Sequence, residues 1–198
     1  PVHGWRRTFT GTERAYRMNA LPITWQRSAN FLLLVLLCLG NSFAQASWQA
    51  QVPNAQVIGQ GELTMYGFSI YSARLLGPSA SFNPEQPYAL QLTYHRSIRR
   101  EDLVQASLEQ ITRQTGITAD PEQLRQWQAE MHKAFVDVDS GQKITGVFLP
   151  GKGCQFYVGE RLQHTIADPL FAQAFFAIWL GADTSEPKLR EQLLGYRK

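Results

Sequence analysis

The segment Phe171–Gly195, FAQAFFAIWLGADTSEPKLREQLLG, constrains this chain more than any residue with obvious chemistry. Asp168 can cap a helix whose first turn takes Pro169, where the missing N–H costs nothing. Phe171, Ala172, Phe175, Phe176, Ile178, Trp179 and Leu180 then cover most of the circumference, so the helix must be buried on nearly all sides. Gly181 suits a left-handed stop. Thr184 or Ser185 offers a cap before Pro187, Leu189 and Leu193 share one face, and Gly195 ends the second helix. A helix this apolar needs a broad apolar partner, and two short helices cannot supply it.

The partner lies earlier in the chain. In Ser69–Leu76, Tyr71, Ala73 and Leu75 alternate with Ile70, Ser72 and Arg74. In Tyr88–His95, Tyr88, Leu90, Leu92 and Tyr94 face one way, with Ala89, Gln91, Thr93 and His95 opposite. This period of two, with aromatic enrichment, predicts a half-buried antiparallel sheet. Gly77-Pro78 and Asn83-Pro84 mark the connection between these strands.

Glu101–Thr115 carries Leu103, Val104, Leu108 and Ile111 at helical spacing, with Gly116 as its stop. Asp120-Pro121-Glu122-Gln123 opens another helix through Leu124, Trp127, Met131, Ala134 and Phe135. Lys143–Leu149 and Gln155–Val158 follow as strands around Pro150-Gly151-Lys152-Gly153, and Gly159-Glu160 forms a further turn. Strands, helices, strands, helices predict an α+β fold, an open-faced sandwich in which a layer of helices covers an antiparallel sheet.

At the other end, Arg27 precedes the nine-residue apolar run Phe31–Leu39, followed by Ala44-Gln45-Ala46. A basic region, a short apolar core and a small-x-small site describe a secretory signal peptide over residues 18–46, cleaved after Ala46. The run falls well short of the ~20 residues a spanning helix needs, so an uncleaved inner-membrane anchor is the alternative, and no stable membrane span follows cleavage. Residues 1–17 show no periodicity and read as a non-native or unstructured extension, with Met18 the initiator. The domain is then 47–198, and the protein periplasmic.

The leader also changes the charge argument. Five of the 19 Lys and Arg but one of the 16 Asp and Glu precede residue 47, leaving 14 cations against 15 carboxylates, a net charge of −1. That removes the basic field nucleic-acid binding requires. One cysteine, Cys154, remains, so no internal disulfide supports the domain.

Recognised catalytic patterns do not form. Gly59-Gln60-Gly61 opens no helix and reads as a turn rather than a dinucleotide loop, and Gly151-Lys152-Gly153 lacks Walker spacing. In Asp137-Val138-Asp139-Ser140-Gly141 the Gly falls one position early for a calcium loop, and Phe148 stands where a bidentate Glu belongs. His95, His132 and His164 have no ligand spacing, and Cys154 with His164 lacks any feature that would lower a thiol pKa. Nothing in the pattern calls for a metal or a cofactor. What remains is Tyr66, Tyr71 and Tyr94 with Arg74 and Arg96, on or beside the first strands together with Tyr88. Tyr hydroxyls and an Arg in an apolar cleft can fix an anionic head group. The bland alternative is a Tyr-rich sheet packed on Trp127 and Trp179, with both Arg side chains reaching water.

These elements together resemble the bacterial, exported branch of the chalcone isomerase-like superfamily. The resemblance rests on Gly59-Gln60-Gly61, the run Gly67–Leu75, Leu92–Ile98, Trp127, Phe135–Val138, Gly141 and the FFAIWLG…T…LR..LLG block, and spans Val57–Gly195. It implies an open-faced β-sandwich. Plant isomerases of the superfamily use an Arg soon after the Gly-x-Gly turn and a Thr on the next strand, but Glu62, Leu63 and Thr64 follow Gly61 here. Other members bind fatty acids through Arg and Tyr in the cleft. The resemblance therefore implies a non-catalytic binder of a lipophilic anionic small molecule such as a fatty acid, with Tyr66, Tyr71, Arg74, Tyr94 and Arg96 as binding residues. The alternatives are an intramolecular lyase acting on an enone-like substrate, with Tyr71 or Tyr94 as proton donor, and a structural or partner-binding envelope protein.

Overall fold

The computed structural model describes residues 47–196 apart from 115, 117 and 118. The segments read from sequence as a signal peptide and an extension before it lie outside the described residues. Six strands form one antiparallel meander: β1 (Gln56–Met65), β2 (Phe68–Gly77), β3 (Tyr88–Tyr94), β4 (Lys143–Leu149), β5 (Gly153–Val158) and β6 (Arg161–Ile166). Four helices complete the fold: α1 (Arg100–Thr112), α2 (Pro121–Ala134), α3 (Pro169–Leu180) and α4 (Pro187–Leu193). This is the α+β sandwich that strand and helix periodicity predict, one sheet with a helical layer. Among the described residues no helix is long and apolar enough to cross a membrane.

Alternation decides which face meets the helices. Cross-strand partners share a face. The row Leu75, Leu90, Gly146 and Phe156 points at the helices. The neighbouring row Arg74, Gln91, Thr145 and Tyr157 points the other way, where Gln91 donates to Thr145 and Tyr157 packs with Trp48, Val52, Leu76, Ala89 and Val147. The second face therefore has its own small apolar cluster, closed at one end by the 3-10 turn Trp48–Ala50.

Helix α3 lies along the first face. Phe171, Phe175, Phe176 and Trp179 are buried there among edge-to-face and stacked rings. Gly146 makes this possible, since a Cβ there would stand 3.1 Å from the Phe176 ring. Asp168 caps α3 through the N–H groups of Leu170 and Phe171, and its second oxygen accepts from Trp127 Nε1 of α2 at 2.8 Å. Asp120 caps α2 in the expected way, accepting from the Gln123 N–H.

Three local expectations are corrected. Gly59-Gln60-Gly61 is not a turn: both glycines lie inside β1, where their missing side chains admit α4. A Cβ on Gly59 would sit 2.1 Å from the Gln192 carbonyl oxygen. Helix α4 closes over β1, and period-two reading of β1 fails because two alternate positions must be bare. Gly181 is extended (φ −67°) rather than left-handed, and is small because a Cβ would stand 2.6 Å from the Ala177 carbonyl. β6 was unforeseen; its outer positions are mostly exposed, as befits an edge strand with a weak apolar pattern.

Candidate functional site

Helix α1 does not press flat on the sheet. Its N-terminus is held from a distance: Asp137 accepts from the Arg100 N–H at 2.8 Å, Ile98 and Val138 exchange backbone hydrogen bonds, and Ser97 donates to Asp139. The Asp137–Gly141 segment that superficially resembles a calcium loop is thus the anchor of α1. Among the described residues no group of carboxylates, His and Cys is placed to hold a metal.

Between α1, the α3 helix and the sheet lies a cavity of about 440 Å³. This falls in the range of small-molecule sites, roughly 300–1,000 Å³. Leu90, Leu92, Ile144 and Phe156 make its sheet wall, Phe175, Phe176 and Trp179 its inner helical wall, and Leu103 and Ala106 its outer one. Leu63, Met65 and Ile70 of the β1–β2 hairpin complete it, with Ser185 and Glu186 of the α3–α4 loop at the rim.

The polar groups inside are few. Trp179 Nε1 donates to the Tyr71 hydroxyl at 2.8 Å, leaving the Tyr71 proton for another acceptor. The Tyr94 ring meets Tyr71 edge-to-face at 5.9 Å, and both rings line the cavity. Among the described residues no side chain partners the Tyr94 hydroxyl. Burial pushes the Tyr71 pKa up to about 12, offset in part by the Trp179 hydrogen bond and helped by the nearby Glu186 carboxylate. Burial, with the Tyr71 hydroxyl beside it, pushes Tyr94 up as well. Both are neutral hydrogen-bond donors over the ordinary pH range.

The five residues singled out from sequence do not converge. Tyr71 and Tyr94 line the cavity. Arg74 is exposed on the opposite face of the sheet, in the row of Gln91 and Thr145, outside the cavity. Tyr66 is 95% exposed at the β1–β2 turn. Arg96 stands over the Phe68 ring at 5.7 Å, away from the lining. Tyr88 is packed beneath Phe82, Phe148 and Phe176. The reason Tyr71 enters the cavity together with Ile70, its chain neighbour, is a bulge. Leu63 pairs with Tyr71 but Thr64 with Ser69, so Ile70 has no partner on β1 and both side chains reach the same side.

Sequence reasoning missed the cavity's own cation, Arg113, exposed just past α1, and its acidic neighbours Asp102, Glu109 and Glu186. For Asp102, Glu109 and Arg113 the one sequence signal is helical spacing, since 102, 106, 109 and 110 fall on one stripe of α1 and 113 continues it. Cys154 is buried on β5, which pushes its thiol up, while His164 bonds Glu130 at 2.6 Å. The two do not form a nucleophile–base pair.

The fold is a helix-covered antiparallel sheet with an apolar, tyrosine-bearing cavity between its layers. The chain belongs to the Chalcone isomerase-like family, which it matches over residues 52–195. An uncharacterized protein of Haemophilus influenzae is 27% identical over 144 residues, covering 72% of this chain and 69% of that protein. Among solved structures, a fatty-acid binding protein of Arabidopsis thaliana has a similar fold, with a TM-score of 0.56 and 10% identity over 73% of this chain and 88% of its own.

Proposed function

We propose that this protein is a non-catalytic binder of a lipophilic small molecule, of the fatty-acid class in size and apolarity, held between α1, α3 and the sheet. The observation that carries the reading is the cavity itself: about 440 Å³, walled by Leu, Ile, Phe and Trp, with two neutral Tyr hydroxyls facing it. The plant protein of similar fold is named for fatty-acid binding, which supports the same class of ligand. The residues that follow Gly61 lend it further weight. Glu62, Leu63 and Thr64 continue β1, and no Arg stands where superfamily isomerases place one. A tyrosine whose ionisation is suppressed by burial is a better hydrogen-bond donor to a resting ligand than a proton source for turnover.

The leader read from residues 18–46 places this binder in the periplasm in our reading. The test has two arms. Protein purified without detergent is extracted and its lipid content measured by mass spectrometry, and delipidated protein is melted with added lipophiles. A ligand at 100 times its Kd adds about 2.7 kcal/mol, or several degrees. Empty extracts together with unchanged melting would refute the reading. Cell fractionation with N-terminal sequencing of the product, expected to begin at Ser47, tests the location separately.

A further inference from the structure

The cavity carries its charges only at the rim and in an unfavourable balance for an anion. No Lys, Arg or His of the sheet or of α3 lines it; Arg74 and Arg96, which could have done so, lie outside it. From α1 come Asp102, Glu109 and Arg113, and from the α3–α4 loop Glu186. Asp102 pairs with Arg99 at 2.9 Å, and among the described residues the Glu109 carboxylate accepts from the neutral amide of Gln105. Two carboxylates therefore remain against one guanidinium.

Glu186, on the α3–α4 loop, adds to this balance. It is close enough to Tyr71 to oppose a negative charge on that hydroxyl. A ligand carboxylate bonded to Tyr71 would meet the same opposition, in surroundings too apolar to solvate it. The lining guanidinium, Arg113, is exposed and outnumbered by these carboxylates, and burying an anion without a well-placed partner cation costs far more than one hydroxyl hydrogen bond returns.

The available donors fit another chemistry. The Tyr71 proton is free because the hydroxyl oxygen is occupied by Trp179, and the Tyr94 hydroxyl faces the same space. The two serine hydroxyls on the lining are already engaged, since Ser107 donates to the Leu103 carbonyl and Ser185 to Gln110. Two neutral donors in an apolar enclosure match a carbonyl oxygen.

We infer that the cavity selects an uncharged lipophile bearing a hydrogen-bond acceptor, such as an ester or ketone carbonyl or a protonated carboxylic acid, bound through the Tyr71 and Tyr94 hydroxyls. This rests on the lipophile-binding reading above and narrows it. A fatty acid then binds in its neutral form. As pH rises above the ligand's own pKa its apparent affinity falls, by up to about tenfold per pH unit, because ionisation removes the bound species.

The experiment measures displacement of a neutral, environment-sensitive fluorophore from the whole protein by dodecanoic acid, methyl dodecanoate, 2-tridecanone and dodecane between pH 5 and pH 8. The ester and ketone are expected to bind with flat pH profiles, and the acid with affinity falling as pH rises. Tyr71→Phe and Tyr94→Phe should each weaken the ester and ketone by about 2- to 12-fold while leaving dodecane unchanged. Arg113→Gln should leave all four nearly unchanged.

An acid that outcompetes its ester at pH 8 with a flat profile would overturn the inference. So would a tenfold loss of acid binding in Arg113→Gln, which would make Arg113 a carboxylate anchor. The pH profiles use unaltered protein, so they decide even if a Tyr variant folds badly. If none of the four displaces the probe, the lipophile-binding reading itself fails and the inference with it.

Discussion

Replacing Asp168 by alanine removes three hydrogen bonds at once, and the structure permits their separate accounting. Two are the caps on the Leu170 and Phe171 N–H groups, at 2.9 and 3.0 Å. Losing such a cap costs about 0.5–2 kcal/mol. The third is the bond from Trp127 Nε1, at 2.8 Å. Trp127 is 2% exposed, so water cannot replace the lost acceptor. An orphaned buried donor costs about 1–3 kcal/mol. Asp168→Ala should therefore destabilise the domain by about 2–4 kcal/mol, lowering its melting temperature by roughly 5–15 °C.

Asp168→Asn should lose less, because its single carbonyl can serve the helix or the indole but not both. A cycle with Trp127→Phe isolates the indole bond. In the Phe background there is no donor to orphan, and Asp168→Ala should cost only the cap, about 1 kcal/mol. Urea unfolding, with constant m-values across the four proteins, is the assay. Equal losses from Asp168→Ala in both backgrounds would refute the coupling of α2 to α3 through this carboxylate.

Two other predictions concern the sheet edge and the surface. Gly59→Ala should destabilise by about 1–3 kcal/mol or more, because its Cβ would meet the carbonyls of Gln192 and Leu193, which are backbone and cannot step aside. Gly61→Ala meets only side-chain atoms of Gln192 and Leu189 and should cost less; the reverse order of denaturation midpoints would sink this account of how α4 closes over β1. Glu130 is held below the usual carboxylate range, chiefly by hydrogen bonding to Lys133 and then by His164. A depressed folded pKa gives stability that is present above the unfolded value near 4.3 and lost as pH falls through the folded value. The midpoint difference between the native protein and Glu130→Gln should thus be small, constant at neutral pH, and shrink once pH falls below about 4, vanishing below the folded value. A difference that grows in acid would contradict it.

Much of the scaffold was legible in the chain itself. The Asp168-Pro169 and Asp120-Pro121 starts open helices as written, because a cap and a first-turn proline act within one turn of chain. Alternation in Tyr88–Tyr94 assigns the faces of β3, because a strand turns over every residue. Residues whose meaning depends on a distant partner were not legible. Gly59 and Gly61 look like a turn until α4 lies on them, and Asp137 resembles part of a metal loop until it is found capping α1.

The site divides in the same way. Tyrosines and arginines near the first strands were visible as candidates, and β3 alternation puts Tyr94 on the helical face. Only the pairing of β1 with β2 reveals the bulge at Ile70 that lets Ile70 and Tyr71 enter the cavity side by side. Only the stand-off of α1, set by Asp137 and the Ile98–Val138 bridge, opens the cavity and brings Arg113 and Glu109 to its rim, opposite Glu186 of the α3–α4 loop. Periodicity and capping are local, so the sequence alone determined the helices, the central strands and the family resemblance. Register, close approach and enclosed space depend on residues far apart in the chain, so tertiary structure alone decided which polar groups meet a ligand.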